Sequence, residues 1–505
     1  MYLIINLGLK SIRGIVFSES GKQLYACSKA VYSTLIDNRV EQDVVEWKNK
    51  LQGILEEIFA IDSLRQSIEF ITATTSSSCI FGMDAKGIPR TKVLMVSDKR
   101  AADEAEFIEA QLSRSEQFAH LKCPASSILP KAVWFKKNRP EVFEEISYWM
   151  GAGEFLSHYF TGEIFTDPLN ASKGLYTGDS YPEEVCRNAG IDSDTLPPVQ
   201  EIGCELPVDN RVIRQFGMRG DTKFVLTTYD AICAVIGSYD GEANTACDVS
   251  GTVTSVRVFS DKGLENGNGA ILSQKLCNFQ KHLIGASNNL GGGIIEWFKQ
   301  SFFDENNKNV YYIMENYAHQ TPIGAHGIVF LPYLLGERSP FKSPNARGLF
   351  FGIDRRSTLK DFSRAVFEST AYVTNDLLRL ITDNGINVEA LSVSGGLARF
   401  DLINQIKADV TNMRVKVIEN FESTSVGALI LLLRSLNKVN SFEEASEHIV
   451  KVRKVINPSE ENHRIYAQFF DFFKDLNNRL EPLYDRHLEL RNQVRSYSSE
   501  KLRNL

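Results

Sequence analysis

One pattern of residues occurs twice in this chain and limits its fold more than any other feature. The first copy is Gly8-Leu-Lys-Ser-Ile-Arg-Gly-Ile-Val-Phe-Ser-Glu-Ser-Gly21, and the second is Gly251-Thr-Val-Thr-Ser-Val-Arg-Val-Phe-Ser-Asp-Lys-Gly263. The copies begin 243 positions apart, nearly half of the 505 residues. This spacing indicates two related domains that each open with a strand, a turn and a strand. A single match of this kind can also arise by chance.

The segments around the first copy alternate between strands and a helix. Residues 2–6, 12–17 and 23–30 have strand composition and are separated by polar turns with glycine. Apolar residues then recur at helical spacing over 43–61, and 68–74 has the composition of a buried strand. This alternation predicts the α/β class.

The composition is that of a globular protein and excludes several other classes. Hydrophobic residues make up 43% of the chain and charged residues 24%, which excludes a disordered, collagen-like or coiled-coil protein. The length predicts roughly two to four domains. The net charge of −7 supplies no general attraction for a polyphosphate backbone, so we expect no nucleic-acid partner.

The cysteines and the apolar segments indicate the compartment. The eight cysteines form no CxxC pair and no zinc set, which is typical of reduced thiols in the cytoplasm. The N-terminus has no basic region before its short apolar run, so we expect no signal peptide. The most apolar later segment, 426–433, is far shorter than the ~20 residues of a membrane span. We therefore expect a cytoplasmic, soluble enzyme with no membrane partner.

A third glycine turn lies at Gly395-Gly396, where an apolar strand gives way to helical spacing. Backbone N–H groups at such a junction can bind an anion, although the glycine pair alone is more typical of a tight turn. Together with the turns at Gly8 and Gly251, it fits a nucleotide bound between two domains. The chain has no P-loop motif and no protein-kinase HRD or DFG motif, which excludes those architectures.

The most specific segment is Phe330-Leu-Pro-Tyr-Leu-Leu-Gly-Glu-Arg-Ser-Pro-Phe-Lys-Ser-Pro-Asn-Ala-Arg-Gly-Leu-Phe-Phe-Gly-Ile353, followed by Asp361-Phe-Ser-Arg-Ala-Val-Phe-Glu368. It resembles the C-terminal domain of the FGGY carbohydrate kinases, and the resemblance covers roughly residues 1–470. Further pieces stand in the family's order: Glu41-Gln-Asp43, Asp98-Lys-Arg100, Thr166-Asp-Pro-Leu-Asn-Ala-Ser172, Tyr229-Asp230, Gly251-Thr252, Gly292, Gly395-Gly396 and Gly427-Ala428.

The resemblance implies the α/β fold of the actin–hexokinase superfamily. This fold has two ribonuclease-H-like, actin-like ATPase domains with an interdomain cleft, here followed by a C-terminal helical tail. Residues 1–243 would form the N-terminal domain with the sugar acceptor and the first phosphate turn. Residues 244–460 would form the C-terminal domain that binds adenosine and phosphate. Residues 461–505 would form the tail, a candidate contact surface for a homodimer.

The activity implied by the resemblance is transfer of the γ-phosphoryl group of ATP to a hydroxyl of a sugar, polyol or sugar acid, with Mg²⁺ as cofactor. It assigns Asp230 as the catalytic base and assigns Asn6 and Asp230 to the metal. From the residues alone, an acid at the start of an apolar helix is more typical of an N-cap. The implied nucleotide-binding residues are Gly8, Lys10, Ser11, Arg13, Gly251, Thr252, Gly292, Gly395 and Gly396.

On the acceptor side, the resemblance assigns substrate binding to Ser77, Ser78, Asp98 and Arg100. Carboxylate and guanidinium groups can hydrogen-bond sugar hydroxyls, but a surface ion pair is an equally good interpretation of Asp98 and Arg100. The segment 41–43 is ambiguous in the same way, because a helix N-terminus favours acidic residues for its dipole.

Two positions depart from the family pattern. Asn6-Leu-Gly-Leu-Lys-Ser11 stands where the family usually has Asp-x-Gly-Thr-Thr/Ser, so an amide replaces a metal-binding carboxylate and Lys10 adds a positive charge. Thr75-Ser-Ser-Ser78 stands where xylulose and gluconate kinases usually carry a Met-His pair. The first departure motivates an alternative, a catalytically impaired homologue that binds a nucleotide or sugar and acts as a regulator. The second suggests a differently shaped acceptor.

Overall fold

The computed structural model describes residues 1–264, 270–276, 281–304, 307–419 and 422–503. The chain forms two compact units. The first unit contains Met1–Gly237 together with Ser423–Ile449, and the second contains Ser238–Glu422 together with Val450–Leu505. Residues 423–449 therefore pack with the N-terminal half, although the sequence prediction assigns them to the domain at 244–460.

Strands and helices alternate along the first unit. Its strands are β1 (Tyr2–Leu7), β2 (Ser11–Phe17), β3 (Gln23–Ala30), β4 (Thr34–Ile36), β5 (Arg39–Gln42), β6 (Phe70–Thr75), β7 (Phe81–Met83), β8 (Val93–Leu94), β9 (Tyr148–Met150), β10 (Glu205–Pro207) and β11 (Lys223–Val225). Its helices up to Gly237 are α1 (Val44–Phe59), α2 (Asp62–Arg65), α3 (Ala102–Leu112), α4 (Ile128–Asn138), α5 (Pro140–Glu144), α6 (Ala152–Thr161), α7 (Pro168–Ala171), α8 (Glu183–Ala189), α9 (Asn210–Phe216) and α10 (Asp230–Ile236).

The main sheet of the first unit, here the first sheet, has the strand order β10-β11-β6-β1-β2-β3. Strand β1 runs antiparallel to β2 and parallel to β6, and β6 runs parallel to β11. All six residues of β1 are buried, as expected for a central strand covered on both faces. Because parallel strands point the same way, β1, β6 and β11 end along one side, which we call the carboxyl edge of the first sheet.

The rest of the chain repeats this alternation. Its strands are β12 (Thr245–Ser250), β13 (Thr254–Ser260), β14 (Leu272–Leu276), β15 (Lys281–Ser287), β16 (Val329–Leu331), β17 (Leu349–Phe351), β18 (Ala390–Gly395), β19 (Arg414–Ile418) and β20 (Val452–Ile456). Its helices are α11 (Gly292–Phe302), α12 (Val310–His319), α13 (Leu359–Thr382), α14 (Asp401–Thr411), α15 (Ser423–Ser435), α16 (Phe442–Ile449) and α17 (Glu460–Arg503).

The main sheet of the second unit, here the second sheet, repeats the topology of the first and adds one edge strand, β14. Its strand order is β14-β15-β13-β12-β18-β19-β20. Strand β12 runs antiparallel to β13 and parallel to β18, and β18 runs parallel to β19. The predicted α/β class is confirmed, and each copy of the repeated pattern forms a turn and the strand that follows it. The matching topologies agree with two related domains rather than with a chance match.

The long C-terminal helix α17 belongs to the second unit, and its first half packs against that unit. Tyr466, Phe470 and Phe473 lie on one face of α17 and are buried against Tyr372 of α13. The Arg364 guanidinium donates a hydrogen bond of 2.6 Å to the Tyr466 hydroxyl. None of the described helices combines the length and the apolar composition that crossing a membrane requires.

Two glycines allow α10 and α15 to pack backbone against backbone in the first unit. A Cβ atom on Gly427 of α15 would lie 1.8 Å from the carbonyl oxygen of Cys233, and one on Gly237 would lie 1.9 Å from that of Ser423. Real carbon and oxygen atoms do not approach so closely, so only glycine fits at either position. This contact fixes the position of α10, whose first residue is Asp230.

We predict that Gly427→Ala will destabilise the first unit by about 2 kcal/mol or more, because the added methyl group forces α10 and α15 apart. Denaturant unfolding followed by circular dichroism measures this loss. Gly220→Ala is the matched control, because a Cβ there would meet nothing within 4 Å. Equal stabilities of the two variants would contradict the packing argument.

Candidate active site

The turn after β1 carries three of the predicted phosphate-binding residues, Gly8, Lys10 and Ser11. The Gly8 N–H donates to the carbonyl oxygen of Ser11 (3.0 Å), and the carbonyl oxygen of Lys10 accepts from the Val31 N–H (3.0 Å). The side chain of Lys10 is exposed and that of Arg13 is half-buried. Arg13 Nε donates to Ser11 Oγ at 3.1 Å. The turn is therefore fixed through its backbone, and its cationic side chains lie beside it.

Gln42 explains part of the ambiguous segment 41–43. Its side chain is buried and its Nε2 donates to the carbonyl oxygen of Leu9 at 2.8 Å, in the middle of the turn after β1. Its Oε1 accepts from Trp47 Nε1 at 2.8 Å. The neighbouring Asp43 is the N-cap of α1 and accepts from the Val45 N–H at 2.8 Å, so the helix-terminus interpretation is confirmed for this residue.

The two predicted metal-binding residues belong to chain segments on either side of β6: Asn6 lies within β1, and Asp230 follows β11. Asn6 lies on β1, is buried and pairs with Thr74 of β6. Asp230 is the first residue of α10, which follows β11. The N-cap interpretation of Asp230 is wrong, because Tyr229 occupies the N-cap position.

The residues directly before Asp230 are held by a buried carboxylate that the sequence did not single out. Asp167, the N-cap of α7, accepts from the Thr228 hydroxyl at 2.8 Å and from the N–H groups of Leu169 and Asn170. Burial raises the pKa of Asp167 to about 6, against the effect of these hydrogen bonds. The Lys173 ammonium lies 5.1 Å from the centroid of the Tyr229 ring. The segment 166–173 therefore positions Thr228 and Tyr229, the two residues directly before Asp230.

Ser77 and Ser78 lie in the loop that follows β6 at the carboxyl edge of the first sheet. Both residues are half-buried. Ser78 has a φ of +60°, in the left-handed region that non-glycine residues seldom adopt. The loop is joined to the turn after β1, because the Ser76 N–H donates to the carbonyl oxygen of Leu7 at 2.9 Å. The predicted acceptor loop and the predicted phosphate turn are therefore neighbours.

Asp98 and Arg100 form a buried pair, so the interpretation as a surface ion pair is wrong. Their side chains are 0% and 5% exposed. Arg100 donates to both carboxylate oxygens of Asp98, at 2.9 and 2.8 Å, and to Glu41 Oε1 at 2.6 Å. Asp98 also accepts from the Val40 N–H at 2.7 Å, and the Arg100 guanidinium lies 5.0 Å from the Trp134 ring centroid. These groups hold the loop before α3 to β5.

The predicted nucleotide-binding glycines of the second unit converge at the carboxyl end of β12. The Gly292 N–H, at the start of α11, donates to the carbonyl oxygen of Gly251 at 2.8 Å, and the Gly291 N–H donates to that of Thr252 at 2.8 Å. A Cβ atom on Gly292 would lie 2.4 Å from the carbonyl oxygen of Gly251, so the close approach needs glycine.

Gly395 and Gly396 close the same edge from the neighbouring strand. Gly395 pairs with Ser250 across the parallel β12 and β18 strands and has a φ of +83°. A Cβ atom there would lie 2.6 Å from the carbonyl oxygen of Ser250, so a larger residue would displace the turn at Gly251. The structure thus brings together the glycine turns that the sequence predicts for the adenosine side.

Behind this turn lies a buried charge network that sequence reasoning missed. Lys407 of α14 donates to Asp248 of β12, and both side chains are at most 1% exposed. Thr374 Oγ1 donates to the same carboxylate at 3.0 Å, and Ser250 Oγ donates to its other oxygen. The sequence signal that could have indicated this network is Lys407 itself, a charged residue at a position of 401–410 where the helical spacing places apolar residues. The network anchors the residue that immediately precedes Gly251.

The family-like segment at 330–353 supports the same turn from another side. Glu337 is buried and accepts from the N–H groups of Asn289 (2.9 Å) and Arg338 (2.8 Å). Burial raises the pKa of Glu337 to about 7. Arg338 Nε donates to the carbonyl oxygen of Ser287 at 2.9 Å. Residues 287–289 lead directly into Gly291, so this segment positions the start of α11.

We predict that Arg100→Met will lower the free energy of unfolding by about 3 kcal/mol, because it leaves the Asp98 carboxylate buried without a counter-charge. Urea unfolding of the full chain measures the loss. Arg219→Met is the matched control. Arg219 makes the same two-bond pair with Asp221, but at the surface of the same unit, so we expect a much smaller effect. Equal losses would show that burial does not decide the cost.

Comparisons with known proteins agree with this arrangement. The N-terminal domain model of the FGGY family of carbohydrate kinases matches residues 1–237, and the C-terminal domain model of that family matches residues 257–436. The xylulose kinase of Staphylococcus epidermidis is 27% identical over 493 residues, which cover 93% of this chain and 95% of the relative. The gluconokinase of Bacillus subtilis is 26% identical over 502 residues, which cover 95% and 96%.

A solved structure, that of gluconate kinase from Lactobacillus acidophilus, matches with a TM-score of 0.86 at 22% identity. The match covers 96% of this chain and 99% of that one, and it supports the fold. The two family models together account for most of the residues of both units. The chain therefore belongs to the FGGY family of carbohydrate kinases, phosphotransferases that use ATP to phosphorylate a sugar hydroxyl.

Proposed function

We propose that this chain phosphorylates a small, open-chain, polyhydroxylated sugar or sugar acid, with Asp230 as the general base. One observation carries the proposal. Asp230 begins α10 just after β11, and the acceptor loop at Ser77–Ser78 follows the adjacent parallel strand β6. A base must lie within hydrogen-bonding reach of the hydroxyl that it deprotonates. Because β6 and β11 are adjacent and parallel, Asp230 and the acceptor loop start at the same edge of the sheet.

In this reaction the hydroxyl oxygen of the acceptor attacks the γ-phosphorus of ATP while the bond between that phosphorus and the ADP oxygen breaks. Asp230 accepts the hydroxyl proton. The supporting bonds from Thr228 to Asp167, and the contact of Lys173 with Tyr229, hold the residues before Asp230, so the carboxylate is presented in one orientation.

We assign phosphate and nucleotide contacts to the fixed glycine turns. In the first unit, we assign a phosphate contact to the Ser11 hydroxyl and a close backbone approach at Gly8, and Lys10 and Arg13 offer positive charge. Phosphoryl transfer needs this neutralisation, because charge spreads over the phosphate oxygens in the transition state. In the second unit, we assign adenosine and phosphate binding to four glycines and a threonine: Gly251, Thr252, Gly292, Gly395 and Gly396.

Asn6 and Asp230 have the donor chemistry that suits Mg²⁺. The described residues hold no group of three or more His, Cys, Asp or Glu side chains placed to hold a metal ion. Mg²⁺ is commonly bound through one or two carboxylates, with phosphate oxygens and water completing its shell, so one carboxylate and one amide oxygen are compatible with it. The ion would neutralise and orient the phosphates.

The acceptor contacts, the cytoplasmic location and the homodimer remain predictions from the sequence. For the acceptor, we assign hydroxyl contacts to Ser77 and Ser78. Because the hydrogen-bonding groups of Asp98 are occupied by Arg100 and the backbone, we propose that this pair mainly shapes the acceptor loop. The relatives named above are kinases, and their names give no support to the catalytically impaired alternative.

We predict that the purified chain with Mg-ATP will release ADP when given D-xylulose, D-gluconate or a related pentulose, hexulose or polyol. Asp230→Asn should lower kcat by at least about 100-fold, because it removes the proton acceptor, and should change ATP affinity much less, because the amide keeps an oxygen donor for the metal. A coupled ADP assay and ATP titration calorimetry measure the two effects. Asp221→Asn, at an exposed carboxylate, is the control. The kinase proposal fails if no acceptor stimulates turnover, and the base assignment fails if Asp230→Asn keeps its rate.

We predict that Asn6→Asp will lower the Mg²⁺ concentration for half-maximal rate by about tenfold, because a carboxylate binds a hard cation more strongly than an amide. Initial rates across a Mg²⁺ titration measure the change. Asn49→Asp, at an exposed position of α1, adds the same charge away from the phosphate turn and should have no effect. Identical titrations for both variants would remove Asn6 from the metal site.

A further inference from the structure

Lys131 is a completely buried lysine that the reaction described above does not use. It lies on α4, and its ammonium donates to the carbonyl oxygens of Ser78 at 2.6 Å and Met95 at 2.9 Å. No carboxylate in the described part of the chain forms an ion pair with it. Burying an ammonium group is costly unless its hydrogen bonds are made, so these two bonds are the reason the site is tolerated.

The two carbonyl groups belong to separate loops on the acceptor side. Ile80 and Leu94 join these loops through two backbone hydrogen bonds, of 3.0 and 2.8 Å. Toward Ser78 and Met95, these are the last backbone hydrogen bonds between the two described segments. Ser78 leads back to β6, and Met95 leads on to Asp98, whose N–H donates to the same Met95 carbonyl at 3.0 Å. The ammonium of Lys131 therefore ties the loops together at the point where their own pairing stops.

The bond to Ser78 acts on a backbone conformation that non-glycine residues seldom adopt. Ser78 has a left-handed backbone conformation, with a φ of +60°. A charged donor to the carbonyl of this residue stabilises that conformation. Burial lowers the pKa of Lys131 to about 8, which leaves the ammonium form predominant at neutral pH. Asp98 favours that charged form and Arg100 opposes it.

We propose that Lys131 is a positioning residue that fixes the loop of Ser77–Ser78 relative to the loop of Asp98–Arg100, and thereby sets the affinity for the acceptor. The proposal rests on the proposed function, because it takes these loops as the acceptor site. Lys131 does not contact the reacting atoms. Its effect passes through the carbonyl groups that it holds.

Steady-state kinetics of Lys131→Met with D-xylulose, D-gluconate and ATP test this role. We expect the KM of the accepted sugar to rise about tenfold or more, because a small displacement of positioning groups has large effects, while the KM of ATP stays unchanged. Lys136→Met is the matched control. Lys136 lies on the exposed side of α4 and donates to the carbonyl oxygen of Gly190, away from both loops. An unchanged KM for the sugar in Lys131→Met would overturn the proposal.

Backbone hydrogen exchange of the full-length chain gives a second readout that needs no turnover. In Lys131→Met, the N–H groups at 76–80 and 95–100 should exchange about tenfold faster, and those of α1 and β1 should not change. Exchange that is unchanged in both loops would overturn the proposal. If neither sugar is phosphorylated by the unaltered chain, the proposed function fails, and the exchange result alone decides the role of Lys131. Should Lys131→Met not fold, Lys131→Gln, which removes the charge and shortens the side chain, replaces it in both measurements, with the same supporting and contradicting results.

Discussion

Two parallel strand pairs determine where the candidate site residues lie. They are β1 with β6 in the first sheet and β12 with β18 in the second sheet. In the first sheet, Leu7 pairs with Thr75, so the loops after β1 and β6 leave the sheet side by side. In the second sheet, Ser250 pairs with Gly395, so the turns at Gly251 and Gly395 meet in the same way. Parallel strands end at one edge of a sheet, and ligand-binding loops of α/β folds gather at that edge. Both copies of the repeated pattern thus place a predicted phosphate-binding turn at the carboxyl edge of a sheet, through one topological rule.

Buried charges hold the loops at these edges. Asp98 and Arg100 lie behind the acceptor side, and Asp248 and Lys407 lie behind the turn at Gly251. A buried ion pair is a poor source of stability, because desolvation offsets the attraction between the charges. Its hydrogen bonds are directional, however, and they specify one arrangement of the loops where an apolar contact would allow several. Lys131 also specifies one arrangement of two loops, by hydrogen bonds to two carbonyl groups rather than to a carboxylate. The first and second units therefore each bury costly charged groups next to residues that are predicted to bind substrate.

The features that could be predicted from the sequence depend on local patterns. The alternation of strands and helices, the paired strand–turn–strand openings and the glycine turns are all encoded in short windows of residues. The burial of Asp98 and Arg100 could not be read in this way, because their partners Val40 and Glu41 lie about 60 residues earlier. The return of residues 423–449 to the first unit has the same cause: their contact with α10 joins segments far apart in sequence. For residues 461–505 the sequence predicts only a helical tail, because its helical spacing shows an apolar face but not the surface that covers it.

In the proposed site, fewer residues select the acceptor sugar than take part in phosphoryl transfer. In the roles proposed above, the base, the phosphate turns and the glycines would serve any sugar, because they would act on the hydroxyl proton and on ATP. Around the acceptor, Asp98 and Arg100 are already bonded to one another and to Glu41, so they have little capacity left for a ligand. The proposed function then assigns discrimination between sugars to the half-buried Ser77 and Ser78, whose short hydroxyl side chains both donate and accept hydrogen bonds. Two serines leave more room than the methionine and histidine usual at this place. In the proposed site they would bind hydroxyl groups without imposing a charge, so the shape of the loop, and therefore the proposed positioning role of Lys131, would determine specificity.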